Sequence, residues 1–177
     1  PAEGPNWAHL YVGQLIAEDY VDVVLTTNFD NLMRRALILF GELAAMCEHA
    51  TSAAHMDLGV ISPQIIHLHG SAGYYDTLHT PDEVAELEQG LGYVLREVVR
   101  NRGLLVVGYR GAEPDVMGAL RRELASRPPP YRLYWIGHEA AERDLASGVT
   151  GLLGLHPGDH LRMLGQDADD FFARLCG

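Results

Sequence analysis

Short apolar runs alternate with longer amphipathic stretches along this chain, and the alternation predicts its elements. Trp7–Glu18, WAHLYVGQLIAE, places Leu10, Tyr11, Leu15 and Ile16 at the spacing of one helix face. Val21–Leu25 is a short Val-rich run and predicts a strand buried on both faces. Helical spacing returns over Asn31–Leu43, a short strand is expected at Ala44–Glu48, and a further strand at Gln64–Leu68. Thr51–Gly59 has no clear period and reads as loop or a weak helical turn. Thr80-Pro81-Asp82-Glu83 carries helix-start signals, with Thr as cap, Pro in the first turn and acids after it. Helices are expected over Asp82–Gln89 and Leu91–Asn101, then a strand at Gly103–Val107 and a helix at Pro114–Ala125. After the break at Pro128–Pro130 come a strand at Arg132–Ile136, a strand at Leu161–Leu164 and a helix at Ala168–Leu175. Strands and helices that alternate this way predict an α/β fold, a parallel sheet with helices on both faces.

Composition narrows what such a fold does. The chain of 177 residues suits one domain with a sizeable core, and 47% apolar residues is ordinary for a globular protein. Thirteen basic residues against 24 acidic ones give a formal charge of −11, which disfavours a direct grip on nucleic acid. The doublets Arg34-Arg35 and Arg121-Arg122 fall on expected helices and read as solvated faces. Cys47 and Cys176 are the only cysteines, too few for a disulfide framework or a cysteine zinc module, and a reducing, cytoplasmic setting fits them. No apolar run approaches the roughly 18 residues of a membrane span, and the chain opens at Pro1, read here as an N-terminally truncated fragment or processed product.

The candidate chemistry sits just past the strands. Ligands of open parallel sheets bind outside the carboxyl ends of the strands. Thr26-Thr27-Asn28-Phe29-Asp30, His69-Gly70-Ser71, Gly108–Gly111 and Gly137-His138 each follow an expected strand. Asn28 offers a donor and an acceptor, and Asp30 accepts from a hydroxyl or an amide. One of the cluster, Thr27 or Asn28, is expected to cap the next helix, which leaves the other polar groups for a ligand. His69 has the near-neutral imidazole of a general base, and Gly70 beside it permits close approach. A core or surface role is the plain alternative for His69. His67 shares its strand face by alternation, and could simply pack or hydrogen-bond nearby. His67, His69, Asp76 and His79 also form a metal-like grouping, short of ligands unless later histidines such as His138 join it. The glycines around Tyr109 and Arg110 suit a phosphate or ribose at a helix N-terminus, though such turns are common.

Taken in order, TTNFD (Thr26–Asp30), HLHGS (His67–Ser71) and VVGYRGAEPDV (Val106–Val116) resemble the three signature segments of the SIR2-like, sirtuin-related proteins. The likeness is to the bacterial branch that hydrolyses NAD, often in anti-phage defence, and spans about residues 7–137. It implies a Rossmann-like domain over residues 1–177 with NAD as substrate and its main partner. By motif position, Asn28 would orient the nicotinamide ribose and a water, Asp30 would sit near the carboxamide, and His69 would be the general base. Thr26, Thr27 and Gly70 belong to the same segments. Gly108, Tyr109 and Arg110 would lie near the adenosine and phosphates, and Gly137 beside the adenine.

Departures from the family pattern shape the expectation. No cysteine lies between Gly70 and Gly108, so the zinc module of protein-deacylating relatives is not expected, nor is acyl-lysine chemistry. Arg110 stands where the family usually carries Ser. The Gly-Ala-Gly phosphate loop on the family's first strand has no counterpart here, so the first strand and loop are expected to be missing and NAD binding by this chain to be weak. Three functions follow: an NAD glycohydrolase releasing nicotinamide and ADP-ribose or a cyclised product, a non-catalytic NAD or ADP-ribose module regulating a flanking effector or sensor domain, and a metal-dependent hydrolase. Neither membrane nor nucleic acid is an expected partner, and the oligomeric state is left open.

Overall fold

The computed structural model describes residues 4–48, 52, 59, 63–69, 81–158 and 160–177. Two compact units emerge, Pro1–Gly90 with Asp169–Gly177, and Leu91–Ala168. Each holds a three-stranded, wholly parallel sheet where one continuous sheet was expected. The α/β, Rossmann-like character and the parallel pairing are as the alternation implied.

In the first unit, α1 (Trp7–Ala17) and α2 (Leu32–Leu39) accompany β1 (Val23–Thr26), β2 (Ala45–Cys47) and β3 (Gln64–His67), in the order β1-β3-β2. β3 is central and wholly buried, with Ile65 and Ile66 at 1% and 0% exposure. Burying such a side chain is worth about 1.5–3 kcal/mol. Ile65 joins Ile16, Met33, Ala36 and Leu37 in the core, against which Val24 and Met46 pack. β1, expected to be buried on both faces, is only half-buried throughout. It is an edge strand, paired to β3 alone among the described residues.

α2 stops at Leu39, short of the expected Leu43. Gly41 takes φ +75°, while Gly41 N–H donates to Ile38 O and Glu42 N–H to Leu37 O. That pair of bonds closes a helix with glycine in the left-handed position. The start of α1 is satisfied from two sources. Asn6 Oδ1 accepts from His9 N–H at 3.2 Å, and Asp169 Oδ1 accepts from Ala8 N–H at 2.6 Å.

The second unit contains β4 (Leu104–Val107), α4 (Pro114–Ser126), β5 (Leu133–Ile136), a single 3-10 turn at Glu142–Asp144, α5 (Ser147–Leu153) and β6 (His160–Met163), with sheet order β4-β5-β6. α3 (Pro81–Asn101) is one helix of 21 residues where two were expected. Gly90 and Gly92 each weaken a helix by about 1 kcal/mol, and the burial of Leu91, Val94, Leu95 and Val98 offsets this. The expected Thr80 cap falls outside the described residues. α5 was not expected, because Gly148, Val149, Thr150 and Gly151 are poor helix formers. Packing holds it, with Val149, Leu152 and Leu153 buried. α6 (Ala168–Cys176), which from Asp169 onward belongs to the first unit, carries Asp169 and Asp170 in its first turn, where acids suit the helix dipole. Among the described residues, no helix is long and apolar enough to cross a membrane.

Candidate functional site

In the first unit the site is built where β1 and β3 end. Their register pairs Thr26 with His67, and Leu68 N–H donates to Thr26 O at 2.9 Å just beyond. Asn28 and His69 therefore each follow that pair by two residues, on neighbouring strands that run the same way. Adjacent strands lie about 4.8 Å apart, so both residues leave the sheet at the same level of one edge.

The turn after β1 is held by its own polar side chains. Asn28 N–H donates to Thr26 Oγ1 at 3.0 Å, and Leu32 N–H donates to Asp30 Oδ1 at 2.9 Å. Thr27 or Asn28 was expected to cap α2, but the cap position is Asn31, which makes no side-chain cap bond, and Asp30 just before it holds the first N–H of the helix. His67 Nδ1 lies 2.9 Å from Asn28 O, and since a carbonyl only accepts, Nδ1 carries the proton. Asn28 and Asp30 are exposed, whereas Thr26, Thr27 and His69 are half-buried. Gly70 lies outside the described residues.

α1 brings a further titratable group to this end. His9 feels the charges of Asp30 and Asp169, yet burial outweighs both and lowers its pKa below the usual imidazole value. Its Nδ1 also meets Asn6 Oδ1. Sequence reading had not singled out His9, because nothing local in its helix pairs it with an acid.

The second unit presents the remaining candidates. Gly108 and Gly111, either side of Tyr109 and Arg110, both take φ +68°, a conformation that favours glycine. The space beside the Gly108 Cα is open, whereas a Cβ on Gly111 would come within 2.4 Å of Val149 Cγ2. Arg110 is exposed. The Tyr109 ring packs at 5.9 Å and 45° against the fully buried Trp135. Its hydroxyl is buried near the Glu113 carboxylate without forming a well-aligned hydrogen bond. Burial raises that phenol far above its ordinary range, and Glu113 adds to the effect. Gly137 is buried, and both its backbone groups are spent on the strand end, N–H to Met163 O at 3.0 Å and C=O from Gln166 N–H at 3.0 Å.

Among the described residues, no three His, Cys, Asp or Glu side chains gather as a metal site. His67 uses Nδ1 on the Asn28 carbonyl, and Asp76 and His79 of the metal-like grouping lie outside the described residues. Arg34, Arg121 and Arg122 are exposed, as solvated faces require.

No curated protein matches this chain. Residues 22–149, well over half of it, match the family model described as SIR2-like domain. They contain all three signature segments, and the chain therefore belongs to the SIR2-like family, whose members work with NAD in general.

Proposed function

We propose that this domain is an NAD glycohydrolase. The bond between nicotinamide and C1′ of the ribose breaks, nicotinamide leaves with the bonding electron pair, and a water oxygen bonds to C1′. The water proton passes to His69. Asn28 orients the ribose and that water, and Asp30 sits by the carboxamide. Positive charge builds on the ribose as the bond lengthens, so orientation and a nearby carboxylate lower the barrier more than a strong nucleophile would. Thr26 and Thr27 belong to the same turn after β1, where Thr26 Oγ1 accepts from Asn28 N–H. A role as an effector of anti-phage defence belongs to this reading.

The observation that carries it is the register of Thr26 with His67, which gives Asn28 and His69 equivalent starting points on adjacent strands. The test is nicotinamide release from NAD by the purified protein, followed chromatographically. Asn28→Ala and His69→Ala are each expected to lower turnover by at least about 100-fold. Turnover unchanged in both variants rejects the assignment, and NAD binding without any turnover in the parent protein points instead to a regulatory binding module.

A further inference from the structure

We infer that His67 is a positioning residue, which fixes the backbone of Asn28 relative to the strand that delivers His69. The inference rests on the proposed NAD chemistry for its consequence, but its geometry stands separately.

Both main-chain polar groups of Asn28 are held by side chains. Its N–H donates to Thr26 Oγ1 at 3.0 Å and its C=O accepts from His67 Nδ1 at 2.9 Å. The first bond is local to the turn. The second crosses from β1 to β3 and spans 39 positions of sequence. His67 is 3% exposed, at the end of a central strand whose other positions include Ile65 and Ile66. Packing alone favours a β-branched apolar residue there, and an imidazole buried without a partner costs about 1–3 kcal/mol. The Asn28 carbonyl is that partner.

β3 thus does two things with one short stretch. His67 grips Asn28, and His69 follows two residues later on the same chain. The β1–β3 ladder, ending at Leu68 N–H to Thr26 O, fixes the two strands, and the His67 bond extends that hold beyond the ladder to Asn28 itself. A shift of about 1 Å between reacting groups can cost on the order of 100-fold in rate. A histidine that merely satisfies the core has no such consequence.

The two roles separate experimentally. His67→Asn keeps an N–H donor close to the Nδ1 position, whereas His67→Leu removes it at similar volume. With both variants folded by circular dichroism, His67→Leu is expected to lose about 100-fold in kcat with KM for NAD changed by less than about threefold, and His67→Asn to recover most of kcat. Equal kcat in His67→Leu and the parent overturns the inference. Two readouts need no turnover, so they decide it even where the glycohydrolase reading fails. A long-range 1H–15N imidazole spectrum of the parent is expected to show His67 protonated at Nδ1, and a ring protonated at Nε2 alone overturns it. The Asn28 amide is expected to exchange with solvent at least about tenfold faster in His67→Leu, since local opening then lacks the cross-strand restraint; unchanged exchange overturns it as well. Should His67→Leu not fold, His67→Gln, whose amide moves the donor away from the Nδ1 position, takes its place with the same loss of kcat expected, and equal kcat overturns the inference.

Discussion

Asp30, a residue of the proposed site, also serves the fold. Its Oδ1 holds the first turn of α2 while the residue remains exposed at the strand edge. Asp30→Ala is therefore expected to cost about 1 kcal/mol in a denaturant titration, and Asp30→Asn only a few tenths, since both acid and amide cap well. If turnover falls in Asp30→Asn at unchanged stability, the charge acts on the substrate. The paired glycines of the second unit make a sharper comparison. Both sit at φ +68°, where alanine costs about 1–2 kcal/mol. Gly108→Ala should cost no more than that, because its surroundings are open, while Gly111→Ala must also push Val149 aside. Thermal unfolding should rank Gly111→Ala clearly below Gly108→Ala, and equal melting points would contradict the crowding. His9 yields a pH test. Its folded pKa lies below the ordinary 6.5, so the unfolded chain binds more protons between the two values. Stability from neutral His9 is complete above 6.5 and is lost as the pH falls through the folded value, with Asp30 and Asp169 reducing the loss. His9→Gln should lose less melting temperature than the parent between about pH 7 and pH 5.

At the level of elements, the strands were readable to within a residue or two because most are short runs rich in apolar, often β-branched residues bounded by turn formers, β6 (HLRM) being the exception. β3 and β4 illustrate this, Gln64–His67 and Leu104–Val107 lying inside the expected Gln64–Leu68 and Gly103–Val107. Helices were less legible wherever packing outweighed propensity. The break expected at Gly90 does not occur, because the buried Leu91 and Val94 hold α3 together. α5 gave no local signal, yet Leu152 is 2% exposed and Val149 0%. If α5 exists through burial, Leu152→Ala should cost about 2–5 kcal/mol, in the range of core truncations. A loss below about 1 kcal/mol by chemical denaturation would mean that this helix contributes little to the second unit. The site shows the same division. The polar cluster after β1 and the histidine after β3 could be picked out by their place in sequence, but which member holds the first N–H of α2 depended on the direction in which the chain leaves the strand.

For the whole molecule, charge is the property with the most direct consequence. A formal charge of −11 and a pI near 5.1 make copies of this chain repel one another at neutral pH. Exposed Ile38, Leu39 and Leu43 supply apolar surface once that repulsion fades. Light scattering should therefore rise as the pH approaches 5.1 and fall again on return to neutrality, and a flat profile would show that charge does not govern association. The sequence by itself determined the α/β class, the order of the elements, the acidic surface and the three strand-end segments that mark a SIR2-like chain. These follow from local periodicity and residue type, which act over a few positions. Tertiary structure alone decided that the strands gather in two sheets, that Asp169 completes the start of α1 across 161 positions, and that His67 reaches the Asn28 carbonyl across 39. Such pairings depend on which surfaces are buried together, and no local pattern encodes a partner so distant along the chain.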